Sequence, residues 1–264
     1  MERRTLADGL HVLVPPAFER AGFFAAFTER TGGVSRAPYE SLNLGLRTDD
    51  RPADVVANRR RVIEALQIPP FATGQQVHGA SVVRLGAKRA AAGFEDAAEA
   101  VPEVDVLSVT QPSLPVAVLV ADCLPIALAA PTEHRLVVVH AGWRGLASGI
   151  LGRALAQFEA TRGLLAAIGP AIGPCHYEVG EDVALAVAAG SEAGAVTERR
   201  DDRLFLDLAG TAAKVLRRAG IRRIDRADLC TADHPDRFFS HRREGETGRQ
   251  ALVGMRLSTA VNDR

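Results

Sequence analysis

Short apolar runs closed by Pro, Gly or polar turn residues recur along the chain. They predict strands at residues 10–14, 23–27, 104–109, 116–121, 124–129, 135–140, 164–168, 203–207, 224–230 and 250–257. TGQQVHGASVVRLG adds a strand, a turn at His78-Gly79 and a second strand. Helical spacing is rarer. Residues 52–67 place Val55, Val62 and Leu66 on one face behind Pro52, with Asp49 and Asp50 ahead, and the arginine run 59–61 is assigned to the solvated side. Further helices are predicted at 145–161, 181–189 and 208–218, the last capped by Asp207. Residues 28–50 read as an ordered loop, either a surface connection or a lid in which Arg30, Tyr39 and Asn43 face a ligand. Residues 87–103 form an Ala-rich, acidic connection read as mobile. Strands outnumber helices and several are consecutive, so the expected fold is α+β, a single layered domain over 1–264 with mixed β-sheets flanked by helices.

Chemistry concentrates in residues 114–145, LPVAVLVADCLPIALAAPTEHRLVVVHAGWRG, where one apolar run ends on Cys123 and the next on His140. If residues 131–134 make a hairpin turn, Ala130 faces Arg135 and Pro125 faces His140. Cys123 shares a side with Pro125, so Cys123 and His140 become diagonal neighbours, roughly 7 Å apart along the backbone. That convergence admits a Cys nucleophile activated by His140, or a shared metal ion, with zinc or copper favoured by a thiolate and imidazoles. His78, at another strand end, is the candidate for a third ligand, and by itself is equally read as a hydrogen-bonded structural histidine. A cysteine after an apolar strand is also compatible with a simply packed thiol. Asp122 points away from Cys123 and is read as orienting a neighbour or capping a loop. Cys175-His176 is a rival pair, expected to diverge because adjacent residues in an extended segment point to opposite faces. His241, between basic neighbours, reads as a surface or anion-binding group, and Cys230 as core.

The charge balance narrows the partners. The 264 residues carry 32 basic and 32 acidic side chains, without the cationic excess of a general nucleic-acid binder. Three widely spaced cysteines do not form a disulfide framework and suit a reducing compartment. The N-terminus is a poor secretion signal, and no run approaches the ~20 apolar residues that span a bilayer. The expectation is a cytoplasmic protein acting on a small molecule, with no nucleic-acid or membrane partner and no oligomeric state assigned.

ADCLP, VVHAGWRG and AIGPAIGPCHYEVG, with QQVHG and TERTGGVSRAPYESLNLG in the same order, closely resemble the YfiH-like family, also called the laccase-domain or multicopper polyphenol oxidase family and regarded as purine nucleoside phosphorylases. The resemblance covers nearly the whole chain. It implies zinc bound by His78, Cys123 and His140, which are then also the catalytic residues, and a fold similar to the cytotoxic necrotising factor catalytic domain. It also implies phosphorolysis of adenosine, inosine and guanosine, cleavage of methylthioadenosine and deamination of adenosine. Arg144 and the amides of the helix expected to begin near Gly145 are read as a phosphate-holding group, with a structural hydrogen bond to a strand end as the other reading of Arg144. The familiar deaminase pattern H-x-E with P-C-x-x-C is absent. Three alternatives stand beside this reading, one of them a nucleotide-responsive protein that binds nucleosides without turnover. A copper-dependent polyphenol oxidase is disfavoured in its conventional form by seven histidines and no H-x-H pair. A Cys-His hydrolase acting in peptidoglycan editing would use Cys123 and His140 without metal.

Overall fold

The computed structural model describes residues 1–191 and 193–258. With strands numbered in chain order, one six-stranded sheet runs β1 (Glu2–Thr5), β2 (His11–Val14), β3 (Phe23–Thr28), β15 (Gln250–Arg256), β7 (Val116–Val120), β4 (Ala72–Thr73). A second runs β14 (Arg223–Arg226), β10 (Leu165–Ile168), β8 (Leu124–Ala130), β9 (Arg135–Ala141), β6 (Val106–Val109), β5 (Val82–Leu85). A small third sheet joins β11 (Glu178–Val179), β13 (Arg203–Leu206) and β12 (Thr197–Arg200). Both large sheets are mixed: β4 lies parallel to β7, β5 to β6 and β10 to β14, and their remaining ladders are antiparallel.

The two large sheets pack face to face through Phe27, Val118 and Leu252 on one side and Ala127, Leu136, Val138 and Ala167 on the other. Ile126, Leu128, Val137 and Val139, on the opposite face of the second sheet, pack beneath helices Trp143–Ala147, Ile150–Leu155 and Leu208–Arg218. Val62 of helix Pro52–Leu66, with Leu42 and Leu44, covers Ala117 and Val253 on the outer face of the first sheet. The result is the expected α+β layering with mixed sheets and flanking helices. Because β8 and β9 are buried on both faces, they read as unbroken apolar runs rather than alternating ones. Each buried Val or Leu stabilises by about 1.5–3 kcal/mol, so a one-residue slip, which would exchange the two faces of the hairpin, is strongly disfavoured.

Several expectations are corrected. The helix predicted at 145–161 is two shorter ones, Trp143–Ala147 and Ile150–Leu155, broken where Gly149 takes a left-handed φ of 72°. Arg59 is not solvated. It sits one turn from Val55 and Val62 on the inward face, 1% exposed, with Nε donating to the Leu44 carbonyl and Nη1 to those of Gly93 and Phe94. Only Arg60 matches the solvated reading, paired with Glu95 at the surface. Residues 87–103 are anchored rather than mobile, with Phe94, Ala100 and Val101 buried. The strand expected at 224–230 stops at Arg226. β1 and β12 lack an apolar run because their side chains are mostly exposed, and periodicity alone does not reveal them.

Candidate metal centre and its cavity

Two chain segments cross from the first large sheet to the second at the same end of the sandwich. One links β4 to β5 and carries His78; the other links β7 to β8 and carries Cys123. His140 lies near the end of β9, and the β8–β9 ladder pairs Ala130 with Arg135 and Pro125 with His140, the register expected from a four-residue turn. Both crossings need a residue in the left-handed region, His78 (φ 59°) and Asp122 (φ 85°). Such positions cost on the order of 1–3 kcal/mol and persist where surrounding contacts impose them.

A carboxylate supplies those contacts at each crossing. Asp105, fully buried at the entry to β6, accepts from the backbone N–H groups of Val77 (3.3 Å), His78 (3.0 Å) and Gly79 (2.8 Å). Its Oδ1 also accepts from His140 Nδ1 at 2.8 Å. Asp122 accepts from Thr231 Oγ1 (2.6 Å) and from the backbone N–H of Arg242 (2.7 Å), so it ties the turn before Cys123 to the 231–242 loop, in keeping with the capping role read for it.

Each of His78, Cys123 and His140 offers a donor atom within 4.8 Å of the other two, and the imidazole rings stand edge to face at 4.8 Å. Asp105 engages Nδ1 of His140, which leaves Nε2 as its ligand atom, an orientation typical of metal-binding histidines. Burial pushes the Cys123 thiol up, but His140 and His78 outweigh it and bring the thiol down to about 6. Burial pulls His140 down, yet Cys123 and Asp105 together raise it to about 9. The pair therefore carries one proton between those values, as thiolate and imidazolium, and a divalent cation would take the place of that proton. Loading metal into the stripped protein should displace one proton per ion from this pair in that window and both of its protons below the lower value. Proton-release titration in weakly buffered solution would show this; pH-independent release would rule it out.

Space at the site is also specified. Gly142 has ordinary extended angles, but an added Cβ would stand 3.0 Å from Cys123 Sγ and 3.2 Å from His78 Cδ2. Gly142→Ala should weaken metal affinity by roughly 10-fold while costing about 1 kcal/mol or less of stability, because the ligand atoms must shift by tenths of an ångström. Competitive chelator titration beside urea denaturation would separate the two effects.

The three donors line a cavity of about 590 Å³. Arg47, Arg59, Arg144, Arg242 and Arg249 also line it, against Asp122 as the one lining carboxylate among the described residues. Arg144 is exposed and stacks on Trp143 at 4.5 Å, and Arg242 lies 5.1 Å over the Tyr177 ring. Arg249 donates to the carbonyls of Thr247 and Gly248, and burial lowers its pKa. Of the predicted substrate-binding residues, Arg144 lines this cavity and Arg30 and Asn43 do not. Arg30 stacks on Phe239 and pairs with Glu244, and Asn43 is fully buried, bonded to Thr48, Asp50 and the backbone of Gly45 and Arg249. Tyr39 bonds Glu246 instead of facing a ligand. These polar groups hold the 28–50 loop in place. The helix carrying Arg144 has only five residues, so the expected phosphate cradle of helix amides reduces to the Arg144 side chain. His241, read as a surface or anion-binding group, lines the cavity.

Sequence reasoning missed Asp105 and the arginines at 47, 242 and 249. For Asp105 a signal existed, a lone acid set inside the apolar run VDVLSV. Arg47 and Arg249 lie in loops and Arg242 in the one-turn helix His241–Glu244, and no local pattern links them to the site.

Thiolate and imidazole donors buttressed by a buried carboxylate, opening on a cation-lined cavity in a layered α+β fold, define a protein suited to hold a thiophilic metal ion beside an anionic ligand. The profile of the family described as multi-copper polyphenol oxidoreductase laccase matches residues 24–256, and the chain belongs to this family. Among its relatives, the purine nucleoside phosphorylase YfiH of Escherichia coli (strain K12) is 35% identical over 91% of this chain and 96% of that protein. Purine nucleoside phosphorylase YlmD of Geobacillus stearothermophilus is 37% identical over 89% and 91%. The crystal structure of Geobacillus stearothermophilus YlmD superposes with a TM-score of 0.87 at 36% identity, covering 92% of this chain and 94% of that one. A Bacillus licheniformis protein, YfiH, whose structure carries the description hypothetical protein, superposes with a TM-score of 0.87 at 28% identity, over 97% and 99%. Among the described residues, no helix is long and apolar enough to cross a membrane.

Proposed function

We propose that residues 1–264 act as one catalytic unit, a zinc-dependent purine nucleoside phosphorylase that takes adenosine, inosine, guanosine and methylthioadenosine and also deaminates adenosine. The carrying observation is the coincidence, in one cavity, of the His78–Cys123–His140 donor set with several arginines. The names of the relatives supply the substrate class. The donor set fits zinc: a thiolate and two imidazoles in one pocket, one of them oriented by Asp105, match a catalytic three-ligand centre. When bound, zinc supplies Lewis acidity toward an oxygen or nitrogen of the substrate.

The remaining steps belong to the chain. Arg144, Arg242 and Arg249 would gather inorganic phosphate by charge-assisted hydrogen bonds, and Trp143, Tyr177 and Ile172 would shield the reacting carbon from water. Phosphorolysis breaks the glycosidic C–N bond while a phosphate oxygen bonds to the anomeric carbon, so the purine leaves with the electron pair and needs a donor. Burial, with the Cys123 charge nearby, pushes Tyr177 up to about 12, so its hydroxyl stays protonated and would donate a hydrogen bond, not its proton, to the departing base. The laccase description fits less well. Multicopper clusters rely on many imidazoles, and of seven histidines only His78 and His140 meet Cys123 among the described residues.

The test is turnover of inosine by metal-loaded protein. Hypoxanthine and ribose 1-phosphate should appear in equal amounts only when phosphate is present, and a chelator should stop the reaction until zinc is returned. Free ribose in place of ribose 1-phosphate would overturn the phosphorylase reading, and phosphorolysis that survives chelation would overturn its zinc dependence.

A further inference from the structure

A second donor cluster lies outside the cavity. The expectation that Cys175 and His176 diverge fails because residues 174–176 are a turn, not an extended strand: the backbone N–H groups of His176 and Tyr177 both donate to the Gly173 carbonyl, at 3.0 and 2.9 Å. A second turn faces it. Cys230 pairs with Ala171 in an isolated parallel bridge, and the Asp233 N–H donates to the Cys230 carbonyl at 3.3 Å. Together the turns bring Cys175, His176, Cys230 and Asp233 within 4.8 Å of one another.

We propose that these four side chains form a second metal site, for zinc or a similarly thiophilic divalent cation, that clamps the 173–177 turn to the 230–233 turn. Ligand chemistry and spacing both point there. A tetrahedral zinc with bonds of about 2.0–2.3 Å holds its ligand atoms roughly 3.3–3.8 Å apart. Cys175 Sγ lies 3.2 Å from Asp233 Oδ2, His176 Nδ1 lies 3.3 Å from Asp233 Oδ1, and Cys230 Sγ lies 3.8 Å from His176 Nδ1. Cys230 also accepts a backbone hydrogen bond from Gly173 at 3.2 Å, the outer support that metal-bound thiolates receive. Four protein ligands complete a tetrahedron and leave no open position, so this is a structural site, unlike the three-donor set of the cavity. Cys175, His176 and Asp233 are exposed, which gives an ion an entry path.

The clamp bears on the cavity wall. Arg242 donates to the His176 carbonyl at 3.2 Å and stacks on Tyr177, and Thr231, next to Cys230, donates to Asp122. An ion at the turns would hold these cavity groups in register. The site is argued from its own geometry and stands whether or not the cavity is a phosphorylase.

Cobalt(II) tests it. The chain has three cysteines, so in a Cys123→Ser background any thiolate-to-cobalt charge-transfer band reports Cys175 and Cys230 alone. Reduced, metal-stripped Cys123→Ser protein should take up one cobalt with that band and tetrahedral ligand-field absorption, and zinc should displace it. Adding Cys175→Ser, at an exposed position that folding tolerates, should remove about half of the band at saturation, leaving the Cys230 contribution, and weaken binding by at least about 10-fold. Asp233→Asn in the same background should shift the ligand-field spectrum and keep the thiolate band. No charge-transfer band in the Cys123→Ser protein, identical titrations with and without Cys175→Ser, or a native thiol count showing Cys175 and Cys230 joined as a disulfide would each overturn the proposal.

Discussion

Replacing Cys123 with serine should lower zinc affinity by about 100-fold or more and reduce phosphorolysis in proportion, because a hydroxyl is a poor substitute for a thiolate among zinc ligands. Stability should change by less than about 1 kcal/mol, since the two side chains have nearly the same shape and Cys123 faces the cavity. Equilibrium dialysis with metal analysis, beside initial rates, gives both numbers. Wild-type turnover in a protein whose cavity has lost zinc would sink the metal-dependent mechanism. Full metal retention with lost turnover would move Cys123 from ligand to nucleophile.

The second large effect is expected at Asp105. Asp105→Asn offers one acceptor oxygen where four donors now converge, and turns an amide NH2 toward two of them. Stability should fall by about 3–5 kcal/mol, the range for removing one partner of a buried charged pair. Metal affinity should fall by about 10–100-fold, because His140 loses the partner that fixes its ring. Asp105 acts through His78 and His140 and is a positioning residue. Excess zinc should therefore restore turnover in the folded variant without restoring its denaturation midpoint to that of zinc-loaded wild type. If zinc affinity matches wild type while stability falls, the carboxylate holds only the His78 turn.

Most of the candidate donor cluster was legible before the fold was known, and the reason is local. Cys123 and His140 lie on strands joined by a short turn, so counting residues back from that turn gave their register, and β8–β9 pairs as counted. His78 was legible as a histidine at a strand end beside a glycine, which made it the candidate third donor, and the resemblance pointed to the same residue. Where the reading failed, a distant contact overrode a local rule. Arg59 was placed in solvent because arginines prefer it, whereas three backbone carbonyls hold it inside. Arg30 and Asn43 were given to a ligand because they sit in a polar loop, whereas the loop uses them for itself. Cys175 and His176 were separated by an extended geometry that two backbone hydrogen bonds convert into a turn.

The sequence by itself determined the strand pattern, the α+β class and the hairpin that sets Cys123 against His140, because side-chain period and turn length are short-range properties. Only the tertiary structure decided which charges surround that site. Asp105 reaches His140 across 35 residues, and Asp122 meets the 231–242 loop across 109 at Thr231. The first contact depends on β6 pairing with β9 and the second on two distant loops meeting beside the site, and no local pattern records either.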